Sequence, residues 1–467
     1  MLAPGRFEQR LAATGTMVLL GMLILLGSLT YWQVFRIDLA DDGRNPRVLA
    51  AFNNPNRGRI LDRDGNVLAE SAPGGERQYT ASSIYGHAVG YLDARLGTQG
   101  AELAFNEVLA GLAGGSLDEA VNAELRRQSR QGLDIRLTID PKLQEAAAAG
   151  LGDRRGAVVA IDPRNGEVLA MVSVPSYDPG SVATEGEALV ADERSPLLNR
   201  ATQGKYPPGS AFKTVTAISA LEHGVVAPET SVTCPGQIVI DGFPVSCQNV
   251  PQGVGTYPFA DAFAFSVNAI FAQVGVKLGW APLLETAERL GFGSALDFTV
   301  ETAPTQVVGD GSELTRVLLA STAFGQGELL ATPLQMAVVA AAIANGGVLV
   351  PPHLGLGAVR GGKTLFSLES GHGRRVISER VAKQLRDLMV AVVAKGQASG
   401  VNIPGVKVAG KTGTAESGTG TSHAWFIAFA PAEAPTIAVA VLVENGGQGG
   451  VVASPIAGAL MRAALGK

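Results

Sequence analysis

Three short clusters of hydroxyl, amine and amide side chains stand far apart in the chain, and together they hold the parts of an acyl-transfer site. Ser210-Ala-Phe-Lys213 is the one S-x-x-K, Ser266-Val-Asn268 the one S-x-N, and Lys411-Thr412-Gly413 the one K-[ST]-G. A serine is a poor nucleophile until a base takes its proton, and a lysine one helical turn away can serve once it is neutral. Pro207-Pro208-Gly209 ahead of Ser210 signals the start of a helix, whose first N–H groups and dipole suit a developing oxyanion. Ser266 offers a hydroxyl for proton relay and Asn268 an amide to hold a peptide. Lys411, Thr412 and Thr414 supply a cation and two hydroxyls for a carboxylate. Gly410 and Gly413 bare the backbone of a strand, as a close approach requires.

Each cluster also has a plain structural reading. Ser210 and Lys213 fit a capping serine with a solvated lysine. Ser266 and Asn268, inside the apolar helical stretch DAFAFSVNAIFAQVG, fit buried and satisfied polar groups. Lys411 fits an edge-strand guard. The order and the wide spacing of the three favour chemistry.

The surrounding elements read as an α+β layered domain. GAVVAIDPRNGEVLAMVSVP (156–175) is two apolar strands about a turn at Pro163–Gly166, and HAWFIAFAP (423–431) and TIAVAVLVEN (436–445) are two more. DIRLTID (134–140) reads as a strand and PKLQEAAAAGL (141–151) as a helix with proline in its first turn. Helical stretches run over Phe212–His223, Ala260–Leu278, Gln335–Ala344 and Glu379–Ala394, and PIAGALMRAAL forms a last helix. Asp64-Gly65, between Ile60-Leu61 and Val67-Leu68, predicts a hairpin after the turn residues Asn53, Asn54 and Pro55.

The 467 residues exceed one ordinary core, so a large and a smaller domain are expected. A net charge of -5 gives no support to nucleic-acid binding, which needs a basic face, and five scattered histidines with two cysteines show no metal-ligand spacing. Leu11 to Phe35 carries no charged side chain and is long enough for a hydrocarbon core of about 30 Å, with Tyr31 and Trp32 at its boundary. No small-residue cleavage site follows it, which favours a retained anchor over a signal peptide. Arg6 and Arg10 before the segment are balanced by Arg36, Arg44 and Arg47 after it, so charge does not orient it. Cys234 and Cys247 bracket CPGQIVIDGFPVSC, either as a disulfide-closed hairpin or as two thiols.

The three motifs in this order are the set shared by penicillin-binding proteins and class A β-lactamases, with Val267 at a position that varies among the former. RGRILDRDGNVLA and GHAVGYLDARLGTQGAELAFNEVLAG resemble the non-catalytic region of class B penicillin-binding proteins. LTIDPKLQEAA, NRATQGKYPPGSAFK, GQGELLATPLQMA, IANGG and HAWFIAFAP resemble their transpeptidase domain, in the family's order. The resemblance is closest to the actinobacterial-type elongation or division transpeptidases.

It implies a penicillin-binding-protein and serine-β-lactamase-like fold: a central antiparallel sheet with helices on both sides plus an all-helical part, after a small α+β region and one transmembrane helix. The expected division is a cytoplasmic tail 1–10, an anchor 11–35, a pedestal 36–150 and a transpeptidase domain 151–467. The resemblance further implies a D,D-transpeptidase without cofactor or metal, in the bacterial membrane with its catalytic domain outside the cytoplasm. Ser210 would attack the penultimate D-alanine carbonyl of a peptidoglycan stem peptide, Lys213 act as base and Ser266 pass a proton to the leaving amine. Asn268 would hold the peptide amide, Lys411, Thr412, Gly413 and Thr414 bind the terminal carboxylate or that of a β-lactam, and the N–H groups of Ser210 and Thr414 form the oxyanion hole. Its partners would be membrane lipid and a SEDS-type membrane glycosyltransferase. A β-lactamase reading lacks support, because Glu285 and Glu288 have no E-x-x-L-N surroundings. A D,D-carboxypeptidase differs only in the acceptor, and a non-catalytic scaffold would not need both Ser210 and Lys213.

Overall fold

The computed structural model describes residues 4–31, 56–111, 131–247, 254–368, 371–416, 418 and 420–467, in two units that divide after residue 54. In the first unit a helix runs over Pro4–Thr30. It therefore starts inside the expected tail, where Ala, Arg, Glu and Gln continue the helical propensity of the apolar stretch. Ala12–Thr30 has a mean hydropathy of 2.0 over 19 residues, about 28 Å of helix, enough to cross a bilayer core. Thr16 and Thr30 donate their hydroxyls to Ala12 O (2.9 Å) and Leu26 O (2.8 Å), as an apolar solvent demands of any polar side chain. Trp32 to Phe35, the three following arginines and the Asn53–Pro55 turn lie outside the described residues.

The second unit is built on a five-stranded antiparallel sheet in the order Ala409–Ala415, His423–Ala430, Ile437–Val443, Gly156–Ile161, Val168–Val174. Its three middle strands are almost wholly buried, which is why they read as unbroken apolar runs and not as alternation. Helices cover both faces. Gly449–Leu465 packs on the middle strands and on Pro141–Leu151, and Pro333–Ala344 packs on Ile437–Val443 and Gly156–Ile161. Asp140 caps the helix at Pro141, accepting from Lys142 N and Leu143 N. The helical part holds Phe259–Ala264, Asn268–Leu278, Trp280–Arg289 and Arg316–Ala323 around Lys213–Glu222.

A second, six-stranded sheet takes Ile60–Leu61, Val67–Ser71, Arg77–Tyr79 and Asp134–Leu137 from the N-terminal region. It is completed by the hairpin Gly355–Arg360 and Lys363–Ser367 from much later in the chain, which the local pattern did not reveal. Asp62 organises the predicted hairpin turn, accepting from the backbone of Asp64 and Asn66 at 2.9 Å each. Arg57 and Arg77 both bind the buried Glu102 (2.9 and 2.6 Å). Burial pushes that carboxyl's pKa up, but the two guanidiniums outweigh it and hold the group below its ordinary value.

Cys234 and Cys247 are joined, with Cα atoms 6.0 Å apart. Inside the loop, Gln237–Ile240 pairs with Phe243–Ser246 across Asp241-Gly242, whose φ values of 47° and 86° suit a tight primed hairpin turn. Closing a loop of this length stabilises the fold by about 3 kcal/mol through the unfolded chain. Reductant, or serine at both positions, should lower the urea midpoint, with a slope that rises slightly as the unfolded chain expands; identical midpoints with and without reductant would contradict this.

Candidate active site

Ser210 is presented by a tight turn, Gly209–Phe212, that leads into the helix Lys213–Glu222. The expected first α-helical turn is thus a 3-10 turn, because its surroundings leave no room. Gly209 has φ 54°, and a side chain there would stand 2.7 Å from Thr414 O. A Cβ on Gly325, in the GQGE segment, would meet Gly209 O at 1.7 Å. A Cβ on Gly413 would meet Pro208 O at 2.6 Å and Trp425 Cβ at 2.8 Å. Three bare backbones therefore clamp the Ser210 turn between the Lys411 strand and the Gly325 loop. Trp425, paired in register with Gly413, donates Nε1–H to Pro207 O at 2.9 Å.

Ser266 and Asn268 are not inside a continuous helix, as their apolar context suggested. The helix Phe259–Ala264 ends with Ser266 N bonding Phe263 O (3.1 Å) and Val267 N bonding Ala262 O (2.9 Å). That is the pattern of a glycine-terminated helix, yet serine holds the left-handed position at φ 61°. Such a conformation costs a non-glycine residue about 1–2 kcal/mol. It turns the chain so that Asn268 opens the next helix and both side chains face one cleft.

The three motifs meet there. Lys213 is fully buried and its Nζ lies 2.7 Å from Ser266 O, 2.6 Å from Asn268 Oδ1 and 3.1 Å from Ser266 Oγ. Lys411, also fully buried, donates to Ser266 Oγ at 2.9 Å and to Thr412 O at 3.0 Å. No carboxylate pairs with either amine among the described residues. Burial, and then the charge of Lys411, push the Lys213 pKa far below its ordinary value. Burial alone brings Lys411 down to about 7. With Lys213 neutral, its two N–H bonds go to Ser266 O and Asn268 Oδ1, and its lone pair is free to accept from a hydroxyl. Ser266 Oγ accepts from Lys411 while keeping its own proton to give, an arrangement that can pass a proton along.

The cleft above these groups has a volume of about 670 Å³, and Ser210, Ser266, Asn268, Thr412 and Thr414 line it. The Ser210 hydroxyl is half-buried and takes no hydrogen bond among the described residues, so it is free to meet a substrate. Gly413 faces the Ser210 turn, not the cleft. Ala409–Ala415 is an edge strand, open to pairing with an extended peptide. Glu285 and Glu288 are exposed and do not line the cleft.

Some positioning residues left no signal in the sequence. Glu444 Oε1 accepts from buried Arg200 Nε (2.7 Å) and from Tyr206 OH (2.8 Å), tying the segment before Ser210 to the end of a central strand. Burial raises the Glu444 pKa, but its hydrogen bonds from Tyr206 and Arg200 outweigh that and keep it low. Tyr206 also exchanges backbone hydrogen bonds with Ala331 (3.0 and 2.9 Å). Gln326, Gln397 and Glu416 add polar side chains to the cleft wall.

Comparison with known proteins agrees with this geometry. Residues 156–462 match the family described as penicillin binding protein transpeptidase domain, and residues 57–135 that described as penicillin binding protein A dimerisation domain. The chain is 37% identical to the peptidoglycan D,D-transpeptidase PbpA of Mycolicibacterium smegmatis over 98% of both chains. The structure of penicillin-binding protein A from M. tuberculosis as an imipenem acyl-enzyme superposes with a TM-score of 0.80 at 32% identity, covering 89% of this chain and all of that one. Its penicillin G acyl-enzyme gives 0.78 at 33% identity, covering 88% and 99%. On its motifs, its fold and these matches, the chain belongs to the class B penicillin-binding protein transpeptidases.

Proposed function

We propose that this chain is a peptidoglycan D,D-transpeptidase whose acyl-enzyme forms on Ser210. The observation that carries the reading is the convergence of Ser210, the Ser266 hydroxyl set between two buried lysines, and the edge strand of Lys411 on one cleft. The terminal carboxylate of a stem peptide docks on Lys411, Thr412 and Thr414, and Asn268 holds the peptide amide. Neutral Lys213 takes the Ser210 proton as Oγ bonds the penultimate D-alanine carbonyl carbon, whose oxygen is stabilised by the N–H groups of Ser210 and Thr414. The C–N bond then breaks, and Ser266 delivers the proton to the departing D-alanine amine. A second stem peptide's amine attacks the ester carbon; the new C–N bond forms as the C–Oγ bond breaks, and the amine's proton passes to Ser210 Oγ. A β-lactam acylates the same serine.

The apolar N-terminal helix anchors the protein in the bacterial membrane, with the catalytic domain on the extracytoplasmic side. The Cys234–Cys247 bond supports that side, since disulfides persist in oxidising compartments. A SEDS-type glycosyltransferase is the polymerase partner that the family resemblance supports. Exchanging residues 11–35 should abolish co-purification with it; unchanged co-purification would remove the anchor from the contact.

Fluorescent penicillin should label the native chain covalently and fail to label Ser210→Ala or Lys213→Ala; label persisting on Ser210→Ala would overturn the assignment. Gly413→Ala must displace backbone at Pro208, so labelling should slow roughly tenfold to a hundredfold with the circular dichroism unchanged. The pH profile has a definite sign. Lys411 is cationic below about 7 and loses its charge above it, whereas burial and then the charge of Lys411 push Lys213 towards its neutral form. Acylation by an anionic β-lactam, measured as kcat/KM, should therefore rise as Lys213 deprotonates and fall through about pH 7. A rate still climbing well above that pH would contradict the role of Lys411.

A further inference from the structure

Resting on the transpeptidase reading, we infer that Glu416 selects donor peptides carrying a cationic side chain on the residue that precedes the acylated D-alanine. Thr412 and Thr414, alternate residues of the strand Ala409–Ala415, line the cleft, and so does Glu416, the first residue beyond that strand. Each two-residue step is about 7 Å along an extended chain. The Lys411 and Thr412 end receives the carboxylate of the departing residue, and the Ser210 turn lies against Gly413 and Thr414. The part of the donor that stays on the enzyme therefore runs on from Thr414 towards Glu416. A peptide lying along the open edge advances about 3.4 Å per residue, which brings the residue before the acylated one within reach of a glutamate side chain at that position.

The chemistry at that point is specific. Among the described residues that line the cleft Glu416 is the only charged one, it is exposed, and it makes no hydrogen bond or ion pair with any of them. Ser422, which lines the same cleft just before the strand partner His423, is uncharged and leaves the carboxylate uncompensated. A lone carboxylate beside the path of a peptide backbone favours an ammonium and disfavours a neutral or anionic group.

The test uses the full-length protein in detergent and two donor peptides ending in D-Ala-D-Ala. They differ only in carrying lysine or Nε-acetyl-lysine before that pair. D-Alanine release with a fixed amine acceptor gives kcat/KM, with active sites counted by fluorescent penicillin. The native chain should prefer the charged donor about threefold to fivefold, the size of an exposed ion pair, and the preference should shrink between about 0.05 and 0.5 M salt. Glu416→Gln should bring the ratio close to one, and Glu416→Lys should invert it; because each variant is read as a ratio, a general loss of rate cancels. A ratio of one in the native chain, or a ratio unchanged in Glu416→Gln, would overturn the inference, as would a preference that follows the charge of the acceptor instead. Absence of both D-alanine release and penicillin labelling in the native chain would sink the transpeptidase reading, whereas normal release with an unchanged ratio sinks only the role of Glu416.

Discussion

Two lysine amines buried without a carboxylate are the constraint on which the site depends. An uncompensated buried ammonium is costly, and the usual release is loss of the proton. Here Lys213 and Lys411 share one hydroxyl, that of Ser266, at 3.1 and 2.9 Å. Two positive charges so close together disfavour each other, which is the condition that the proposed division into one base and one anion-binding amine requires. The carboxylate such a site would bind brings the counter-charge that the fold withholds.

Holding that arrangement falls to backbone more than to side chains. Gly209, Gly325 and Gly413 sit where a single methyl group would strike a neighbouring carbonyl, so the Ser210 turn, the Gly325 loop and the Lys411 strand approach to backbone contact. Packing of this kind is stiff, because no rotamer can yield. Gly449 and Gly450 extend it, since a Cβ there would meet Gly413 O at 2.3 Å and Gln397 O at 1.9 Å respectively. The Arg200–Glu444–Tyr206 network then fastens the segment leading to Ser210 onto the central sheet. Ser266 is the one strained element of the site, a serine where a helix terminus would ordinarily use glycine. Glycine there would relieve the strain but remove the hydroxyl that both amines contact.

Much of this was legible in the residues themselves. The three motifs carry their chemistry in their letters, and the central strands announce themselves as apolar runs too short for helices and bounded by turns. Asp140-Pro141 marks a helix start, Asp64-Gly65 a hairpin and Ala12–Thr30 a membrane-length helix, each through propensities that act within a few residues. These features depend on local sterics and on the period of side-chain burial, which sequence alone determines. What tertiary structure decided is of longer range. The break at Ser266 arises because the two flanking helices must each pack elsewhere. The pairing of Cys234 with Cys247, the late hairpin that completes the N-terminal sheet, and the reach of Glu444 to Arg200 and Tyr206 all join residues that no local pattern links. The protonation states of Lys213 and Lys411 belong here too, since desolvation exists only once the chain has closed over them.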